Sequence, residues 1–441
     1  MSVWSTVRSL DGSQRKTFIA SFLGWTLDAF DFFLLTFVTL RIAKDFHVST
    51  PAVVLTITLT LMMRPLGALI FGLLSERFGR RAPLMVDIVL YSFIELLTAF
   101  APTYATFLIL RILFGIAMGG EWGLGSSLAM ESLPTEARGL FSGILQQGYA
   151  CGYLLAAIAY FGVFFFFPDA SWRVMFIIGV IPALLVVFIR TNVAESPIWE
   201  QRQAVRQARG ISVGHSMWQA VKSRPIIFIY LVILMTAFNS LSHGTQDNFP
   251  LFLQSQLKLN VVGTTVIAII YNIGAIIGGT LFGYFSQGWG RRRAIVIACI
   301  LGLVMIPLWV GWLHIPGLSE LVIIASGAFL LQFMVQGAWG VIPAHLNELS
   351  PTDVRGTFPG FAYQLGNLFA AYIVFFEALI AQNLGGAARP NYQIALTIFS
   401  GIAFLAVAIL AAIGREARHV KMDATDEGMA LSDTSVDALR A

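Results

Sequence analysis

Apolar positions fall in long unbroken blocks along this chain, each close to the ~20 residues an α-helix needs to cross a hydrocarbon core. Twelve blocks can be marked: Phe18–Leu40, Ala52–Leu74, Pro83–Ala101, Thr106–Met130, Gly139–Phe167 and Trp172–Ile189, then Ile226–Leu253, Val262–Ser286, Ala294–Leu313, Leu318–Leu346, Phe358–Ala381 and Gln393–Ile413. The first is long and lacks a small-residue cleavage site, so it reads as a retained helix and not as a signal peptide. The pattern predicts an all-α integral membrane protein with 12 transmembrane helices. Residues 1–190 form a first six-helix half, 191–225 a polar linker, 226–414 a second six-helix half and 415–441 a short disordered tail.

Span 7 departs from the pattern. Its second half reads Asn239-Ser240-Leu241-Ser242-His243-Gly244-Thr245-Gln246-Asp247-Asn248-Phe249-Pro250. An ionisable side chain at a bilayer centre costs roughly 2.5–3.5 kcal/mol on insertion scales, so such a run needs a cavity to face. At about 100° per residue, Asn239, Ser242, His243, Gln246 and Asp247 share one face about 140° wide. The competing reading is a frayed helix end at the membrane surface, stopped by Pro250. His243 and Asp247 are four apart and therefore neighbours on a helix. Histidine generally changes charge near physiological pH, which makes the pair a candidate proton relay.

The 57% hydrophobic and 12% charged composition excludes a soluble domain. Charge placement adds orientation. Of the 28 Lys and Arg residues, 21 fall in segments on one side and 5 on the other, which predicts both termini cytoplasmic. The net charge of +4 is thus a topology signal and implies no nucleic acid. Short loops and a compact tail favour a bacterial inner membrane. Cys151 and Cys299 sit within apolar spans and suggest neither a disulfide framework nor a metal site.

The chain is built twice. Gly72-Leu73-Leu74-Ser75-Glu76-Arg77-Phe78-Gly79-Arg80-Arg81 after span 2 returns 211 residues later as Gly283-Tyr284-Phe285-Ser286-Gln287-Gly288-Trp289-Gly290-Arg291-Arg292. Glu131, Pro134, Arg138 and Gly139 after span 4 return 217 residues later as Glu348, Pro351, Arg355 and Gly356. Parallel halves of this kind place a substrate site near the midplane between them. The glycines suit tight turns. Gly72, Glu76, Arg77, Gly79, Arg80, Glu131, Arg138, Gly283, Arg291, Glu348 and Arg355 are candidate gating residues, whose charges would pair at the inner mouth in one state and part in the other.

Charges also lie inside the spans. Asp28 and Asp31, three apart on span 1, would repel each other, which suits a proton carrier; balance by Arg64 on span 2 is the other reading. A buried guanidinium such as Arg64 is a natural fork for a carboxylate substrate, and could equally be neutralised by Asp28, Asp31 or Glu121. Arg111 on span 4 reads as structural. Asp87, Glu95 and Glu377 read as lone structural acids. Gln146, Gln147, Tyr149, Tyr153, Asn272, Gln332, Gln336, Tyr363, Gln364 and Asn367 are neutral pathway candidates, each open to a simple helix–helix hydrogen bond. Gly148/Gly152 and Gly274/Gly278 are spaced for close helix packing.

These loops resemble the G-x3-D-R-x-G-R-R signature of the major facilitator superfamily, with Glu76 in place of Asp, and with Gln287 and Gly288 replacing Asp and Arg in the degenerate second copy. Glu-x-x-Pro-x-x-x-Arg-Gly and Glu195-Ser196-Pro197 resemble its sugar- and organic-ion-transporter branches. The span-7 run is similar to the N-x-x-[ST]-H-x-[ST]-Q-D-x-x-x-T signature of Jen-type lactate/pyruvate permeases in the sialate:proton symporter branch. Asn239, Ser242, His243, Thr245, Gln246 and Asp247 match it, and Leu251 replaces the final Thr. That resemblance implies proton-coupled transport of short monocarboxylates, roles for the matched Asn, His and Asp, and a span-2 arginine matched by Arg64. Sialate-specific relatives often carry two extra central spans, which the Arg190–Arg224 loop lacks. Asp28-Ala29-Phe30-Asp31 resembles the D-G-x-D element of aromatic-acid permeases, with Ala for Gly.

The expected protein is therefore a symporter working by alternating access. Sialic acid and aromatic acids are the alternative substrates, and a non-transporting sensor is the rival role. Arg64, Asn239, Ser242, His243, Gln246, Gln147, Tyr149 and Gln364 would bind the anion; Asp28, Asp31, His243 and Asp247 would carry the proton. No cofactor is expected beyond the proton. The expected partners are a small organic anion and the lipid bilayer, with the protein working as a monomer. No Walker loop, H-E-x-x-H or nucleophile elbow points to an enzyme.

Overall fold

The computed structural model describes residues 10–134, 137–195, 199–200, 203, 218, 221–351, 354, 357–386 and 389–418. Among these, twelve helices are long and apolar enough to cross a membrane: α1 (Gly12–Asp45), α2 (Thr50–Phe78), α3 (Arg81–Ala99), α4 (Tyr104–Ser132), α5 (Arg138–Phe166), α6 (Arg173–Asn192), α7 (Pro225–Gln256), α8 (Val261–Trp289), α9 (Arg291–Trp309), α10 (Glu320–Leu349), α11 (Phe358–Gly385) and α12 (Tyr392–Ile413). In hydrocarbon every backbone polar group must be satisfied internally, which leaves the helix as the local answer to such blocks. Six of the first turns carry side-chain caps. Asp11 and Gln14 form a reciprocal capping box at α1, and Ser49, Thr103, Asn260, Ser319 and Asn391 cap α2, α4, α8, α10 and α12.

The repeated loop is a structural repeat. Gly79 ends α2 at φ 92° and Gly290 ends α8 at φ 97°, a backbone region that disfavours any side chain. Each half therefore turns through one glycine into a helix that begins with arginine. The end of the bundle that carries these loops is called the basic end below.

Several helices are broken where they pass the centre. α4 turns at Met118–Gly120, α10 at Gly340–Val341 and α11 at Ala371. In α7 the regular helix stops at Gln246, and the span closes with a π-helical turn over Phe252–Gln256. Pro250 does not end it. The frayed-end reading of the polar run fails, because Asn239, Ser242, His243, Gln246 and Asp247 are all buried.

The halves meet mainly through α5 on α8 and α2 on α11. Approach is closest towards the basic end. A Cβ on Gly283 would stand 2.6 Å from the Gly143 Cα, so the two backbones touch there. Ser142 of α5 donates to the Gly340 carbonyl (2.9 Å) and accepts from the Ala344 amide (2.9 Å), pinning α5 to α10. Gly274 and Gly278 pack α8 on the Phe329 and Phe333 carbonyls of α10, and Gly152 packs α5 on the Thr26 carbonyl of α1.

Candidate functional site

The polar face of α7 lies at the centre, where the halves meet. His243 is held at both ring nitrogens: Nδ1 lies 2.9 Å from Asp247 Oδ2 and Nε2 lies 3.1 Å from Asn367 Oδ1. Its ring meets Phe32 of α1 edge-on at 5.9 Å, so the imidazole touches the opposite half. Asn239 donates to the Tyr363 carbonyl (3.1 Å). Gln246 donates to Gln332 (3.2 Å), which in turn donates to Thr245 (3.1 Å). Ser242 faces Tyr149 of α5.

Arg64 comes from the middle of α2 and donates to Asp28 of α1 at 2.9 Å. Phe32 lies 5.6 Å from its guanidinium, and Tyr149 and Tyr363 face it from the two halves. Trp122 of α4 stacks on Tyr363 of α11 at 4.5 Å and 17°, and donates to Gln146. None of Asp28, Arg64, Asn239, Ser242, His243, Gln246 or Asp247 exceeds 4% exposure, so the centre is occluded from both ends.

Several buried atoms here have no hydrogen-bond partner among the described residues: Arg64 Nε, Asp28 Oδ1, Asn239 Oδ1, Asp247 Oδ1 and Gln364 Nε2. Leaving such groups unmet costs about 1–3 kcal/mol each, and more when they are charged. Donors and acceptors from both halves are thus left over around one place, which is what a polar ligand needs.

Other expected residues go elsewhere. Asp31 keeps Asp28 as a neighbouring like charge and also faces Glu95 and Arg111 inside the first half. Glu95 is therefore not a lone acid: it pairs with Arg111. The arginine takes this partner on α3, and Glu121 packs instead against Gly24 of α1. Glu377 is not alone either, since Asn248 donates to it at 3.0 Å. Gln147 donates to the Gly143 carbonyl and lies against Gly279, a packing position between α5 and α8. Gln364 accepts from Asn367 one turn on.

At the basic end, Arg80 sits 3.1 Å from Glu76 and 3.7 Å from Glu131. Arg291 forks onto Glu348 (3.1 and 2.8 Å) and also donates to Gln287 (2.9 Å). Arg138 of the first half faces Glu348 of the second. Gly72 lies against Thr357, just before α11, another crossing between halves. Arg77 is the exception: it is exposed and lies over Phe78, because the helix turns its side chain away from the cluster. Arg355 and Gly356 lie outside the described residues.

Sequence reasoning missed Trp122 and Glu416, and gave Glu195 no partner. Trp122 stands in the run Gly119-Gly120-Glu121-Trp122-Gly123-Leu124-Gly125, where a lone indole among glycines was the available signal. Glu195 accepts from the Arg80 and Arg81 amides (2.8 and 3.1 Å), and Glu416 accepts from the Arg292 amide (3.2 Å). The expectation that everything from Arg415 onward is disordered needs correction: Glu416 and Arg418 dock on the second loop, with Arg418 donating to the Gly288 carbonyl at 2.5 Å.

Comparison with known proteins supplies the class. Residues 18–373 match the family described as Major Facilitator Superfamily. The chain belongs to that superfamily. It is a multi-pass membrane transporter and not an enzyme. It is 31% identical to the "Carboxylic acid transporter protein homolog" of Saccharomyces cerevisiae, over 94% of this chain and 71% of that one. It is 29% identical to the "Probable 4-methylmuconolactone transporter" of Cupriavidus pinatubonensis (84% and 85%) and 27% identical to the "Sialic acid transporter NanX" of Escherichia coli (81% and 85%). The fold matches the proton:xylose symporter XylE bound to 6-bromo-6-deoxy-D-glucose, with a TM-score of 0.74 at 20% identity, over 95% of this chain and 99% of that one.

Proposed function

We propose that this chain is a proton-coupled symporter of small monocarboxylates of the lactate and pyruvate class. It works by alternating access, as a monomer, with both termini in the cytoplasm. The observation that carries this reading is the central arrangement itself. His243 is held between Asp247 and Asn367 on one half, and Arg64 with its partner Asp28 stands on the other.

The coupling follows from charge balance. Arg64 is the cation that a carboxylate entering the centre meets, and its Nε is unpartnered. When the substrate carboxylate takes over the guanidinium, Asp28 loses its counter-charge in a site from which water is excluded. Breaking a buried pair in this way costs about 3–5 kcal/mol. A proton delivered with the substrate removes that cost, so anion and proton travel together. His243 and Asp247 provide the matching relay on α7. Asn239 Oδ1 and Gln364 Nε2 offer one acceptor and one donor for a hydroxyl or keto oxygen beside the carboxylate. The loop clusters at the basic end, with Gly143 against Gly283, form the cytoplasmic gate.

One anion moving with one proton is electroneutral. A gradient of one pH unit then supplies about 1.4 kcal/mol, roughly tenfold accumulation. A net-charged cycle would instead respond to potential at about 2.3 kcal/mol per charge per 100 mV. Radiolabelled lactate uptake into proteoliposomes under an imposed pH gradient, with and without a clamped potential, tests this directly. Uptake that follows the pH gradient and ignores the potential is the expected result; no flux of any acid would overturn it. The stacked Trp122 and Tyr363 favour a second substrate reading, an aromatic or larger organic acid. Benzoate or sialate uptake without lactate uptake in the same vesicles would move the substrate to that class.

A further inference from the structure

The two loop repeats are not equivalent at one position. Arg80-Arg81-Ala82 in the first half corresponds to Arg291-Arg292-Arg293 in the second. The first two arginines have matching internal tasks. Arg80 meets Glu76 and Glu131, and Arg291 forks onto Glu348. Arg81 donates to the Arg190 carbonyl at the end of α6, and Arg292 donates to the Ala411 and Ala412 carbonyls at the end of α12. The third position holds alanine in one half and arginine in the other. Arg293 is exposed and has no hydrogen bond or ion pair among the described residues.

Arg293 stands on a groove of about 610 Å³ between the ends of α8, α9 and α12. Trp289 and Ile297 are part of its apolar wall, and Arg292, Arg418 and Glu416 are its other charged groups. Glu416 is engaged with the Arg292 amide, and Arg418 is braced on the Gly288 carbonyl. Three cations against one carboxylate leave the groove positive. Trp289 is 45% exposed and stacked on Phe285 at the level where α8 ends, the usual depth of an interfacial indole. Beyond Ile297 the outer face of α9 continues with Ile300 and Val304, 53% and 64% exposed, for about 10 Å along the helix.

We propose that this groove binds an anionic phospholipid. The phosphodiester sits between Arg293 and Arg418, and an acyl chain runs down the Ile297–Ile300–Val304 face. Cations alone would serve any phosphate. The apolar wall that leaves the groove along the lipid-facing side of α9 is what selects a lipid. The bound lipid would tie α8, α9 and the chain after α12 together at the basic end of the second half only.

Native mass spectrometry of the full chain in mild detergent tests this, using phosphatidylglycerol and phosphatidylcholine with identical acyl chains, and inorganic phosphate as competitor. The expected result is one phosphatidylglycerol retained at about five- to thirtyfold lower lipid concentration than phosphatidylcholine, the size expected for one or two surface cations. Arg293→Ala and Arg293→Gln should both lose this preference while eluting as monodisperse protein, since the side chain is exposed and has no hydrogen bond or ion pair among the described residues. Equal retention of the two lipids, or a preference that survives both substitutions, would overturn the proposal. Displacement of phosphatidylglycerol by millimolar inorganic phosphate would also overturn it, by showing a site for free anions.

Discussion

The two halves share one fold and differ at their centres. The first half fills its interior with formal charge: Asp28 on Arg64, Glu95 on Arg111, and Asp31 and Glu121 with carboxylate oxygens that no hydrogen bond reaches among the described residues. The second half fills the equivalent space with amides and hydroxyls, Gln246 on Gln332 on Thr245 and Asn239 on a backbone carbonyl. Its acids are tied to a histidine in one case and an amide in the other. Parting a buried neutral hydrogen bond costs about 1–3 kcal/mol per group left unmet, whereas breaking a buried ion pair costs about 3–5 kcal/mol. On the proposed reading, the first half would hold the charge that attracts an anion, and the second would supply the neutral surface that closes over it.

The largest test of that contrast is Arg64→Ala. It leaves Asp28 buried without its cation, so thermal stability in detergent should fall by about 3–5 kcal/mol and uptake should disappear. Adding Asp28→Asn should restore most of the stability without restoring uptake. Loss of uptake with stability unchanged in Arg64→Ala would show that Arg64 and Asp28 are not a coupled pair.

Asp247→Asn strikes the second half. It keeps the shape and removes the acid beside His243. Net accumulation driven by pH should fall at least about tenfold, a loss of roughly 1.5–3 kcal/mol for a hydrogen bond to a charged group. Exchange of labelled for unlabelled substrate across the same vesicles should persist. Equal loss of exchange and accumulation would assign Asp247 to binding and not to the proton.

A smaller effect comes from Gly143→Val, which forces α5 and α8 apart at the basic end. Cysteine labelling of a Ser142→Cys background should rise severalfold from that side, because the side chain pinned to α10 is released. Unchanged labelling would mean that this contact does not seal the pathway. The smallest change expected is from Gln287→Glu, which gives the second loop the acid of the first. It should favour the closed basic end by about 1 kcal/mol or less, seen as slightly lower labelling of the same cysteine.

The membrane class, the twelve spans and the duplicated loops were legible because each depends on local pattern. Hydropathy marks a span whatever surrounds it, and a glycine at positive φ marks its turn. The polar face of α7 was legible for the same reason, since helix geometry alone aligns Asn239, Ser242, His243, Gln246 and Asp247. Partners were not. Nothing within α4 marks the partner of Arg111, which meets Glu95 because α3 and α4 lie side by side. Asp28 and Asp31 are about one turn apart, yet one faces the centre and the other the inside of its half.

What the sequence determined alone is therefore everything set within one helix or one turn: where the chain crosses, which face is polar, where glycine must stand, and that the unit occurs twice. Packing decided the rest. It paired Arg64 with Asp28, brought Trp122 onto Tyr363 and docked Glu416 on Arg292. A helical period fixes the direction of a side chain relative to its own axis. Only the rotation and crossing of neighbouring helices fix what that side chain meets.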